Sequence, residues 1–151
     1  MDIIYRDCTT EEFEAVYRDD YPDKDLCPDF VAARNVSHIY GAEVDGKIRG
    51  AIAFEFAAYE PIDDEGHDLT LSYLNFQYVS RAYRKNGIGT SLLTYAIKFL
   101  IAEDRIPIGC GFTSRKMKSC FEALSPELKQ SVVLLPTILD DGQDIWEECD
   151  L

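Results

Sequence analysis

Leu92, Leu93, Ala96, Ile97, Leu100 and Ile101 recur at steps of three and four residues, so residues 89–101 predict a helix with one apolar face. The chain before it reads mostly as strand. "DIIYRDC" opens as a first strand, and "TTEEFEAVYRDD" as a helix capped by Thr9 or Thr10 with acidic residues in its first turn. Pro22 and Pro28 bracket a loop, and "DFVAARNV" predicts a second short helix. "HIYGAEV" and "IRGAIAFEFAAY" then flank Asp45-Gly46, a strong hairpin signal. An acidic loop from Glu60 to Asp68 leads into "LTLSYLNFQYV". After the apolar helix come the strand "PIGCGFT", a helix from about Arg115 to Leu124, and two strands, "SVVLLPTIL" and "QDIWEEC", joined at "DDG".

The order predicts an α+β (α/β) fold: a mixed, mostly antiparallel central sheet of about seven strands with flanking helices. The fourth strand, third helix and fifth strand form a parallel crossover, with hairpins on either side. No repeat, linker or low-complexity stretch divides residues 1–151, which read as a single domain long enough for a hydrophobic core.

Composition narrows the function classes. Apolar runs are broken by Glu55 and Lys98 before they reach membrane-spanning length, and "MDIIYRDCTT" lacks the features of a signal peptide. Cysteines 8, 27, 110, 120 and 149 form no CxxC pair, and His38 and His67 are the only histidines. Reduced thiols in a cytoplasmic protein without a metal site are therefore expected. The net charge of −13 is uneven: residues 1–75 hold 18 acidic and 6 basic side chains, residues 76–118 only 2 acidic and 8 basic. A positive segment in an acidic chain suits an anionic ligand beside a cationic one.

The positive segment contains the chemistry. "YRKNGIGTSLL" follows a strand end at Val79 and opens the apolar helix. A helix N-terminus offers unpaired N–H groups and partial positive charge, which favour phosphate. Gly87 and Gly89 are expected to clear room for phosphate oxygens. Arg84 and Lys85 add charge, and Thr90 and Ser91 add hydroxyls. No GxxxxGK[ST] is present, and Leu92 stands where a dinucleotide fold wants a third glycine.

"VSRAYRKNGIGTSLL" resembles the signature of the GNAT superfamily of N-acetyltransferases: a strand-terminal Val, a short loop, then Arg/Gln-x-x-Gly-x-Gly/Ala, matched by Arg84, Gly87 and Gly89. The order of strands and helices is also similar to that family's over nearly the whole chain. The resemblance implies acetyl-CoA as co-substrate, its pyrophosphate on the backbone N–H groups of Lys85, Asn86, Gly87, Ile88, Gly89 and Thr90. It also implies that the pantetheine arm pairs with the main chain at Gln77, Tyr78 and Val79. A second family motif, Asn-x-x-Ala with a tyrosine seven residues beyond the Asn, aligns with Ser114, Met117 and Phe121. Ser114 would join the cofactor site, whereas Phe121 lacks the hydroxyl of the family's general acid. Cys120 beside it is either a small core residue or a substitute acid. Arg115, Lys116 and Lys118 either reach the 3′-phosphate or form a solvated face.

The family's usual glutamate base on the fourth strand corresponds to Tyr73, a poor base with a reference pKa near 10. Glu55, alone in an apolar strand, is the other catalytic candidate. A symmetric loop would set Tyr59 opposite Leu69 and Glu55 opposite Tyr73, and burial would raise the carboxyl pKa; alternatively Glu55 points to solvent. Tyr73, Asn75 and Gln77 share one strand face by period and could line an acceptor groove, with His67 and Asp68 on the loop leading in.

The resemblance places the first two helices and the last hairpin loop around the acceptor. "TTEEFEAVYRDDYPDKDL" and "DDGQD" are acidic there, which favours a cationic amine (a polyamine, a small amine, or a protein lysine or N-terminus) over a nucleic-acid-bound acceptor. Two other classes remain open: a catalytically weak acetyl-CoA-binding module, and an acidic protein that sequesters a basic partner. The sequence does not decide between monomer and homodimer.

Overall fold

Among the described residues, six strands form one sheet in the order β1-β2-β3-β4-β5-β6. The structure is a computed structural model and describes residues 1–20, 36–61, 68–110 and 115–134, without the side chains of residues 57–61, 68–70, 75–76 and 115–117. β1 (Ile4–Asp7), β2 (His38–Val44), β3 (Lys47–Pro61) and β4 (Asp68–Val79) run antiparallel in sequence order. β5 (Ile108–Cys110) and β6 (Val132–Leu134) continue parallel to β4. The mixed, mostly antiparallel sheet and its parallel crossover follow the sequence expectation. The expected second helix, residues 29–36, lies outside the described residues except for Val36, which is not helical, and the final strand of the last hairpin lies outside them entirely.

The β2–β3 hairpin has a physical cause in the sequence. Asp45 and Gly46 take φ values of 54° and 80°, the left-handed pair that a two-residue turn between twisted strands requires. β3 and β4 extend further into the acidic loop than expected, to Pro61 and from Asp68. Their register sets Glu55 opposite Tyr73, as expected, but Tyr59 opposite Thr70 and Glu60 opposite Leu69. An extra residue on β3 between Glu55 and Ala58 breaks the symmetry of the hairpin.

Helices cover both faces of the sheet. α1 (Thr10–Asp20) begins in a reciprocal cap: Glu12 N–H donates to Thr9 Oγ1 and Thr9 N–H donates to Glu12 Oε1, each at 3.1 Å. Arg6 ties that cap to the sheet, donating to Glu12 Oε2 at 2.7 Å and to Glu43 Oε1 at 3.0 Å. The guanidinium holds the Glu12 carboxyl below the usual range. Phe13 and Val16 of α1 pack on Ile39, Ile48, Ala51 and Ala53.

α2 (Ile88–Ala102) covers the opposite face, burying Ile88, Leu92, Leu93, Ala96, Ile97 and Leu100. Ile101 was expected on this stripe but is 40% exposed, because it falls at the rim of the stripe in the last turn. α3 (Arg115–Glu122) and a one-turn helix, α4 (Pro126–Lys129), follow β5. Among the described residues, no helix is long and apolar enough to cross a membrane.

Candidate acetyl-CoA site

β4 ends at Val79, and the chain turns sharply before α2. Ser80 N–H donates to Arg49 O at 2.8 Å, and a 3-10 turn spans Arg81–Tyr83. Lys85 and Gly87 then take left-handed φ values of 67° and 77°. At a lysine this conformation costs about 1–2 kcal/mol, a strain typical of ligand-binding segments. The Asn86 amide closes the turn by donating to Tyr83 O at 3.1 Å and Arg84 O at 3.2 Å.

Gly87 is the N-cap of α2, and no side chain caps the helix. The first helical bond runs from Ser91 N–H to Gly87 O at 3.0 Å. The amides of Ile88, Gly89 and Thr90 therefore precede the helix ladder and carry the positive end of its dipole. A Cβ at Gly87 would meet nothing within 4 Å, so φ alone requires glycine there. Ile88 is buried, which leaves its backbone amide as its only group at the loop.

Gly89 serves a different purpose from the one expected. A Cβ there would stand 2.8 Å from Cys120 Sγ and 2.9 Å from Gln77 Nε2. Its missing side chain lets the first turn of α2 close onto β4 and α3, where Gln77 Nε2 donates to Gly89 O at 3.0 Å. Thr90 hydrogen-bonds the Cys120 thiol, so only Ser91 keeps its hydroxyl exposed at the helix start. Burial pushes the Cys120 thiol up, and that hydrogen bond partly opposes the shift. Gly89→Ala should destabilise the fold by about 1–3 kcal/mol through overpacking. Adding Cys120→Ala should recover part of the loss, as read by urea denaturation of the single and double variants.

Arg84 braces the strand end rather than reaching out from the loop. Its Nε donates to Val79 O at 2.9 Å, and its guanidinium lies 5.2 Å from the Tyr78 ring centroid. Along the sheet, β4 pairs with β3 through Val79 but with β5 only at Ser72, Tyr73 and Leu74. Among the described residues, the other edge of β4 is therefore open from Phe76 to Val79, ending beside the amides of α2.

The same stretch of β4 contains a bulge. Leu74 faces Phe54 and Phe76 faces Ala53, so Asn75 is an extra residue. The bulge corrects the expected groove. Gln77 lies on the α2 face with Ile52, whereas Tyr73 lies with Glu55 on the α1 face. Period-two alternation placed them together, and one inserted residue separates them.

Residues 2–122 match the model of the acetyltransferase (GNAT) family. The chain belongs to this family. No curated protein matches it in sequence. Its fold is similar to that of a predicted acetyltransferase from Clostridium acetobutylicum solved with acetyl-CoA, at a TM-score of 0.57 and 15% identity, covering 82% of this chain and 90% of that one. An aminoglycoside 6′-N-acetyltransferase from Acinetobacter baumannii gives 0.56 at 13% identity over 81% and 88% of the two chains. A ribosomal-protein-alanine N-acetyltransferase from Brucella melitensis gives 0.53 at 16% identity over 83% and 92%.

For this GNAT acetyltransferase, the structure places several of the residues that the resemblance aligns with the family's catalytic positions. Phe121, which the resemblance aligns with the family's general acid, is buried in the core under α2. Cys120, the neighbouring alternative, turns towards Gly89 and Thr90 at the head of that helix. Glu55 is half-buried, between the two alternatives of burial and full solvent exposure. Lys118 is exposed on α3. Ser114 and His67, and the side chains of Arg115, Lys116 and Met117, lie outside the described residues, as do Cys27 and Cys149. Burial raises the thiols of Cys8 and Cys110 to about 12.

Part of the acidic half is already neutralised. Asp19 pairs with Lys47 Nζ at 2.6 Å, and Glu12 and Glu43 share Arg6. Asp20 accepts hydrogen bonds from Tyr78 and Arg81 across the fold. No local pattern signals that contact, because its partners lie 58 and 61 residues away.

Proposed function

We propose that the chain, acting as one domain over residues 1–151, transfers the acetyl group of acetyl-CoA to a primary amine of a cationic acceptor in the cytoplasm. The observation that carries this reading is the N-terminus of α2, without a side-chain cap, beside an edge of β4 that is open from Phe76 to Val79 among the described residues. The pyrophosphate lies on the amides of Ile88, Gly89 and Thr90, and the exposed Lys85 supplies nearby charge. The pantetheine arm pairs with β4 at Gln77 to Val79. Arg84 contributes by fixing Val79, which agrees with a motif arginine that shapes the site more than it contacts phosphate.

The reaction is direct transfer. The deprotonated acceptor nitrogen attacks the thioester carbonyl, and a β4 amide near Val79 stabilises the developing oxyanion. The C–S bond then breaks and CoA leaves as thiolate, which takes its proton from solvent because Phe121 has none to give. Glu55, beside Tyr73 on the α1 face, accepts the acceptor's proton through water. Placing both substrates in one groove supplies much of the acceleration. The names of two structural neighbours, an aminoglycoside and a ribosomal-protein-alanine acetyltransferase, agree with an amine acceptor.

A thiol-release assay with acetyl-CoA over polyamines, small amines and basic peptides tests the reading. At least one cationic amine should release thiol well above the amine-free rate. Both KM values should rise with salt, since the Debye length falls from about 10 Å at 0.1 M to about 3 Å at 1 M. An acceptor KM unmoved by salt would contradict steering by the acidic half. The buried Phe121 at the acid position favours one other reading, an acetyl-CoA-binding module with weak turnover. Tight acetyl-CoA binding without thiol release on any amine would select it.

A further inference from the structure

Asp20, in the last turn of α1, makes contacts that its place in an acidic helix does not suggest. Its Oδ2 accepts the Tyr78 hydroxyl at 2.6 Å and the Arg81 backbone N–H at 2.9 Å. Ser80, the N-cap of the 3-10 turn, makes no side-chain cap bond, so Asp20 supplies that cap from another element. One helical turn earlier, the Tyr17 ring meets Tyr78 edge-on at 4.8 Å between centroids. From the loop, the Arg84 guanidinium covers the same ring while its Nε holds Val79 O. The last two residues of β4 and the first of the 3-10 turn are therefore fixed by one carboxylate and one guanidinium.

We propose that Asp20 is a positioning residue for the phosphate-binding loop, holding the end of β4 and the 3-10 turn so that the α2 amides meet the nucleotide half of acetyl-CoA in fixed geometry. The inference rests on the acetyl-CoA site described above. The loop between Arg81 and Ile88 hangs from two ends, the packed helix and this junction. Freeing the junction lets the loop sample conformations in which the amides diverge, and ligand binding must then reorder it. The carboxylate is also withheld from the ligand, because its bonding atom faces an O–H and an N–H within the protein. The acidity of this helix end thus serves the cofactor side of the site as well as any cationic acceptor.

Calorimetry well below the melting point tests the proposal, using acetyl-CoA and its nucleotide half, 3′-phosphoadenosine 5′-diphosphate. The variants are Asp20→Ala, Asp20→Asn and Tyr78→Phe, with folding checked by circular dichroism. Asp20→Ala should weaken both ligands about tenfold, the order expected for losing hydrogen bonds to a charged group. Asp20→Asn keeps an acceptor oxygen and should stay within about threefold of wild type. Tyr78→Phe should cost less than Asp20→Ala, and the double variant little more than Asp20→Ala alone. An Asp20→Ala protein that melts lower but binds both ligands like wild type would make the residue merely structural and overturn the proposal. Weakened acetyl-CoA with unchanged nucleotide binding would overturn it too, by placing the effect away from the loop. Wild type that fails to bind acetyl-CoA overturns the site itself, a different outcome from unaltered variants.

Discussion

Gly87→Asp should raise the acetyl-CoA Kd about 100-fold while shifting the melting temperature by no more than a few degrees. Gly87 is exposed and a Cβ there meets no neighbour, so the new side chain has room. Aspartate tolerates left-handed backbone better than most residues, and the φ of 77° is the main conformational demand. Its carboxylate would favour the positive end of α2, because negative charge in that position stabilises a helix. That same charge would compete with the pyrophosphate for the amides of Ile88, Gly89 and Thr90 and repel it. Stability and binding should thus part company. Gly87→Asn, with similar shape and no charge, should lose about tenfold or less. Equal affinity in wild type and a folded Gly87→Asp protein would remove the helix N-terminus from the cofactor site.

Glu55→Gln should lower kcat about 100-fold near neutral pH, at the low end of what a positioned proton acceptor contributes. Glu55 stands opposite Tyr73 on the α1 face, next to the last β4 residues that pair with β5. Glutamine keeps the size and the half-buried position but cannot take the proton of an ammonium. The acetyl-CoA Kd should stay unchanged, because the proposed pyrophosphate and pantetheine contacts lie elsewhere. Steady-state thiol release and calorimetry on the same preparation separate the two quantities. Full activity in Glu55→Gln would show that the amine is deprotonated by another group or arrives neutral.

The sequence discloses the elements better than it discloses their contacts. β2, the Asp45-Gly46 turn, the face of α2 and the glycine-rich loop follow local rules that each carry their own signal. The Thr9–Glu12 cap does too, as a Thr-x-x-Glu spacing. Bulges escape this reading. Asn75 looks like any other residue of an alternating strand, yet as the extra residue it moves Tyr73 and Gln77 to opposite faces. Gly89 had an obvious ligand-side explanation, whereas the space it leaves is filled by Cys120 and Gln77 from distant elements. Arg84 was legible as a motif residue, but its bond to Val79 O depends on a turn that local rules do not fix. Asp19 and Asp20 belong to the acidic segment expected to favour a cationic acceptor, yet both have partners within the protein that lie far away in sequence.

In the proposed complex the amides at the head of α2 receive the pyrophosphate of acetyl-CoA. Backbone amide NMR during an acetyl-CoA titration reads those groups individually. The largest shifts are expected at Ile88, Gly89 and Thr90, with smaller ones at Gln77 to Val79 at the end of β4. Inorganic pyrophosphate alone should reproduce the first set and not the second. Saturable binding that leaves the amides of Ile88, Gly89 and Thr90 unshifted would contradict that contact.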